Sequence, residues 1–134
     1  MKARCQCGNL NARITDSAEA MTVVCHCIDC QRRSGSPFGV MAYFDADAVT
    51  LSGVAKEYTR ATDTGSTFTT GFCSNCGSTV YSRPGKFPGM IGIAIGAIAD
   101  PSQPPPLHSV YEQSRHPWVS LPETMPGHQQ GRET

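Results

Sequence analysis

Apolar and polar residues alternate over 10–14, the period-2 pattern of a strand with one buried face. Segments 21–24 and 38–44 are short, mostly apolar runs of strand length. Segments 54–59 and 67–72 flank Asp63-Thr64-Gly65; the glycine suits a turn, and the pair reads as a hairpin. A further strand is expected over 78–82. Segment 90–98 alternates Gly or Ala with Ile, which suits a strand that another layer approaches closely. One helical turn is expected after Cys30, through Gln31-Arg32-Arg33, before Ser34-Gly35-Ser36-Pro37 ends it. Pro101 and Pro104-Pro105-Pro106 predict a stiff connector to a last segment around Val110 and Trp118. The pattern predicts an all-β fold with at most a short helical turn after Cys30. It forms one domain over 1–122, followed by a loose polar tail over 123–134.

Composition narrows the function. The chain has 134 residues, 39% of them hydrophobic, with 13 Gly and 10 Pro. That suits one small domain rich in turns. Eleven basic residues balance eleven acidic ones with no basic stripe, so neither nucleic acid nor an anionic membrane surface is an expected partner. The longest apolar stretch, 90–99, is half the ~20 residues that a bilayer span needs. The start Met1-Lys2-Ala3-Arg4-Cys5 lacks the apolar segment of a secretory signal. A cytoplasmic location is expected.

Seven cysteines remain, and in a reducing compartment an odd count points to metal or redox chemistry more than to disulfides. They fall as Cys5-Gln6-Cys7, Cys25-His26-Cys27-Ile28-Asp29-Cys30 and Cys73-Ser74-Asn75-Cys76. Zn²⁺ prefers thiolates in a tetrahedron. A C-x-C on extended chain puts both sulfurs on one face, and C-x-x-C does so through a tight turn. Gly8 and Gly77, each directly after a cysteine, can take the positive φ in which such turns end. Cys25, Cys27 and Cys30 can converge on one ion unaided, whereas the pairs 5/7 and 73/76 need each other. The economical division is a closed, structural site of Cys5, Cys7, Cys73 and Cys76, and an open site of Cys25, Cys27 and Cys30 with a fourth position for water or substrate. Two alternatives stay open: a ribbon-like site of Cys27, Cys30, Cys73 and Cys76, and a redox pair of Cys27 and Cys30.

Around these ligands, His26 is expected to face away from the metal as a packed residue. Arg32 and Arg33 are candidates to balance the site's charge and to bind a substrate carboxylate. Asp29 and Ser34 read as turn residues, and His108, His116 and His128 as packed or surface imidazoles. Trp118 and the isoleucines of 91–98 read as core.

Three segments carry a family resemblance: Cys5-Gln6-Cys7-Gly8-Asn9, then 25–36 with its C-H-C-x-x-C-x-R-x-S-G pattern, then Phe72-Cys73-Ser74-Asn75-Cys76-Gly77-Ser78. With Gly96-Ala97-Ile98-Ala99-Asp100-Pro101, Leu107-His108 and Pro117-Trp118, they resemble the GFA family of glutathione-dependent formaldehyde-activating enzymes and centromere protein V. The resemblance implies a β-tent of small antiparallel sheets and two zinc ions per chain. One is structural on Cys5, Cys7, Cys73 and Cys76; the second, on Cys25, Cys27 and Cys30, can be only partly occupied. It further implies a carbon–sulfur lyase that joins glutathione to formaldehyde as S-hydroxymethylglutathione. This agrees with the chemistry of a zinc on three thiolates, a weak Lewis acid better suited to holding another thiol than to making hydroxide. The alternative is a non-catalytic, zinc-stabilised binding module.

Overall fold

The computed structural model describes residues 1–132. Its strands are β1 (Lys2–Arg4), β2 (Leu10–Ile14), β3 (Met21–Cys25), β4 (Gly39–Asp45), β5 (Val49–Gly53), β6 (Ala55–Ala61), β7 (Thr67–Cys73), β8 (Thr79–Pro84), β9 (Met90–Ala94) and β10 (His108–Val110). They form a three-stranded sheet, β1-β2-β5, and a seven-stranded sheet, β10-β3-β4-β9-β8-β7-β6. Pairing is antiparallel throughout except where β10 runs parallel to β3. The expected strand-rich fold and the β6–β7 hairpin, closed through Gly65 at φ 81°, are both present.

Strand parity determines where the site lies. Leu10, Ala12 and Ile14 of β2 are buried against Ala42 and Phe44 of β4, Val80 of β8, and Ile91 and Ile93 of β9, forming the core between the two sheets. Because successive side chains on a strand point to opposite faces, Met41 and Tyr43 of β4 and Met21, Val23 and Cys25 of β3 emerge on the far side. There they line a cavity. The apolar runs of β3 and β4 therefore serve two apolar surroundings at once.

Helix α1 (Ile28–Ser34) begins before Cys30 rather than after it. Cys27 Sγ caps its N-terminus by accepting from the Cys30 N–H at 3.3 Å, and Gly35 ends it at φ 70°. The run 90–98 is a strand only to Ala94. Its second half is helix α2 (Ile95–Ile98), because Ile95 and Ile98, three residues apart, both pack on the core from one side of a helical turn.

Trp118 is 72% exposed, contrary to the core reading. It follows Pro117 in irregular chain and meets His116 edge-on, while Val119 is buried in its place. Nor is the segment after Leu121 loose as far as Arg132. Ser109 N–H donates to Pro126 O at 2.9 Å, His128 N–H to Ser109 O at 2.8 Å, and Tyr111 N–H to Gln130 O at 3.2 Å. Backbone groups of β10 left free on its outer side account for that docking. Positions 133 and 134 of the expected tail lie outside the described residues.

Gly53, at φ 99°, ends β5 against the loop that carries Cys7, and a Cβ there would fall 1.9 Å from Asn9 O. Gly53→Ala is expected to cost about 2 kcal/mol or more through combined strain and clash. A lowered urea midpoint at unchanged m-value is the check.

Candidate metal centres and cavity

The sulfurs of Cys5, Cys7, Cys73 and Cys76 all lie within 4.8 Å of one another, and so do those of Cys25, Cys27 and Cys30. None of the seven is joined in a disulfide. In the first cluster Cys5 Sγ is 3.7 Å from Cys7 Sγ, and Cys7 Sγ is 3.6 Å from Cys73 Sγ. These separations fit the ~3.8 Å edge of a tetrahedron built on Zn–S bonds of about 2.3 Å.

Two tight turns build this cluster. Gly8 at φ 86° and Gly77 at φ 80° close them. Leu10 N–H donates to Cys5 Sγ at 3.2 Å, and Asn75 and Cys76 N–H donate to Cys73 Sγ at 3.4 and 3.5 Å. Backbone donors aimed at sulfur favour the thiolate. The Ser78 hydroxyl, 3.3 Å from Cys76 Sγ, and the Ser78 backbone draw that thiol down to about 5. Cys5 and Cys73 are each 1% exposed while Cys7 is exposed, so any ion held here joins the small sheet's leading loop to the β7–β8 turn at the margin of the packed core.

In the second cluster Cys25 ends β3, Cys27 caps α1 and Cys30 sits in its first turn. The Cys25 and Cys30 thiols, together with the Cys30 N–H, draw Cys27 down to about 2. The same contacts with Cys27 and Cys30, reinforced by burial, push Cys25 up. One short segment therefore gathers three sulfurs, Cys27 the most acidic of them, in a donor set suited to a divalent cation.

This trio opens into a cavity of about 570 Å³ whose wall includes Cys25, Cys27 and Cys30 and none of the other four cysteines. The floor is the outer face of β3 and β4. The sides are α1, the β6–β7 hairpin with Arg60 and Phe68, the chain from Pro84 to Met90, and the C-terminal segment with Tyr111 and Arg132. Tyr111, at φ 55°, donates its hydroxyl to Asp63 Oδ1 at 2.6 Å, tying the C-terminal segment to the hairpin.

Of the two candidate arginines, Arg33 lines the cavity and Arg32 is exposed outside it. Gly39 makes room for Arg33: a Cβ at 39 would fall 2.4 Å from Arg33 Nη2 and 3.5 Å from Cys30 Cβ. His26 is fully buried with Nε2 3.0 Å from Ser109 Oγ, and burial, then Arg115, hold it below the ordinary imidazole range.

Three residues near the site carry no sequence signal. Gln31 pins α1 to the chain after β10, donating to His26 O and Ser114 O at 2.9 and 3.1 Å, with Oε1 3.0 Å from His116 Nε2. Arg60 lies 3.5 Å from Asp29 and over the Phe68 ring. Tyr43 lies on the cavity floor, where burial pushes its phenol up and keeps it protonated. Only the parity of β4 relative to Ala42 and Phe44 could have placed Tyr43 there.

The sequence profile of the glutathione-dependent formaldehyde-activating enzymes matches residues 1–114. The chain belongs to that family. Among solved structures, it is similar to a Rhodobacter sphaeroides protein at 19% identity, with a TM-score of 0.54 over 78% of this chain and 92% of that one. That likeness shows the shared fold. No curated protein matches the chain significantly. Among the described residues no helix is long and apolar enough to cross a membrane.

Proposed function

We propose that this chain is a zinc-dependent carbon–sulfur lyase that makes or breaks the C–S bond of a small thiol adduct, as in glutathione-dependent formaldehyde activation. Cys25, Cys27 and Cys30 would hold the reactive zinc, and Cys5, Cys7, Cys73 and Cys76 the structural one. The observation that carries this reading is the asymmetry of access: only the three-cysteine cluster faces the cavity. When bound, zinc on three thiolates supplies a soft Lewis acid that lowers the pKa of a fourth, incoming thiol.

The reaction needs no oxidant. The thiol sulfur adds to the carbonyl carbon and forms the S–C bond, and the C=O π pair moves to oxygen. The proton lost by the thiol ends on that oxygen. The lyase direction is the reverse. Arg33, beside Cys30 on the cavity wall, offsets negative charge at the trio. Tyr43 offers a protonated hydroxyl on the floor of the same cavity. Cysteines grouped as metal donors suit a reducing, cytoplasmic setting.

The test is exchange spectroscopy on ¹³C-formaldehyde mixed with glutathione or 3-mercaptopropanoate, with and without the zinc-loaded protein. Faster interconversion of aldehyde and hydroxymethyl thioether is expected. An unchanged rate at two zinc ions per chain overturns the reading.

A further inference from the structure

The cavity's chemistry bears on which thiol it takes. Its floor and one side present Met21, Val23, Met41, Phe68 and Val110. Burying amides or charges against such a surface leaves them unpartnered at a cost. Methionine side chains adapt their shape to an apolar guest.

The charged groups are equally informative. Among the described lining residues, Arg33, Arg60, Lys86 and Arg132 face two carboxylates, Asp29 and Asp63. Both carboxylates are engaged, Asp29 with Arg60 at 3.5 Å and Asp63 with the Tyr111 hydroxyl at 2.6 Å. An ammonium group entering the cavity finds these two carboxylates outnumbered by four cations and does not find a buried, unpartnered group to pair with among the described lining residues. A carboxylate does: Arg33 Nε is buried without a hydrogen-bond partner, and its guanidinium is wedged beside Cys30 by the missing side chain of Gly39. A planar guanidinium so placed is suited to a carboxylate.

We propose that the cavity selects a thiol adduct with an apolar carbon body and one carboxylate, the body lying against Met21, Met41 and Phe68 and the carboxylate on Arg33, over a zwitterionic tripeptide adduct. The position of the sulfur rests on the thiol chemistry proposed above; the selectivity rests on the cavity walls.

Calorimetric titration of the zinc-loaded chain with 2-benzyl-3-mercaptopropanoate tests it. The comparison ligands are 3-mercaptopropanoate, which lacks the apolar body; the corresponding benzyl alcohol, which lacks the carboxylate; 2-benzylpropanoate, which lacks sulfur; and glutathione. The benzyl mercapto acid is expected to bind about tenfold more tightly than 3-mercaptopropanoate, the alcohol or glutathione. Arg33→Gln is expected to weaken the acid about tenfold more than it weakens the alcohol, with an unchanged circular dichroism spectrum showing that the variant is folded. Glutathione binding as tightly as the benzyl acid, or acid and alcohol binding alike, overturns the proposal and leaves the lyase reading standing. If 2-benzylpropanoate binds as tightly as its thiol and still exceeds glutathione, the selectivity holds and the sulfur chemistry falls. If no ligand binds, both fall.

Discussion

Cys73→Ser is expected to yield a chain that does not fold, with collapsed chemical-shift dispersion and no bound zinc. Cys73 is 1% exposed and its sulfur lies 3.6 Å from that of Cys7, 66 residues away in sequence. An ion closing so distant a contact removes chain entropy that nothing else in this small core replaces. Structural zinc contributes about 10 kcal/mol or more to small zinc domains, comparable with the whole stability of about 5–15 kcal/mol of a domain. A folded Cys73→Ser protein would show that the four-cysteine cluster is not the staple proposed.

Cys27→Ser should behave in the opposite way. The three cysteines of its cluster sit within one segment, so an ion there closes no long loop, and α1 keeps a cap because serine is itself a good one. The variant is expected to fold with a near-wild-type circular dichroism spectrum and to carry one zinc ion by elemental analysis. Formaldehyde–thiol exchange should fall to the rate without protein, because two thiolates hold zinc weakly and serine is a poor ligand for it. If Cys27→Ser unfolds as Cys73→Ser is expected to, the structural and reactive labels have no basis.

The contrast reflects which features local sequence specifies. Cysteine spacing is local chemistry: within each knuckle the chain has few ways to place two sulfurs, so both clusters were legible. Strands β2, β3 and β4 and the β6–β7 hairpin were legible for the same reason, because period and turn residues act over a few positions. The turn of α2 was hidden, since Ile95 and Ile98 fit an alternating run until the core selects their three-residue spacing. Strands β1 and β10, three residues each, offer too little pattern. The cavity was invisible because Met21, Met41, Phe68 and Arg33 come together only when β3, β4, the hairpin and α1 pack. Arg32 and Arg33 looked equivalent as neighbours, yet the helix directs one to solvent and the other to the cluster.

The long span between Cys7 and Cys73 also sets a timetable on the ribosome. At about 5–20 residues per second, the first cysteine pair emerges several seconds before its partners are made, and the three-cysteine cluster is complete well before the four-cysteine one. A cell short of zinc, or under peroxide stress, would therefore damage newly made copies in that interval, while finished ones keep Cys5 and Cys73 out of reach.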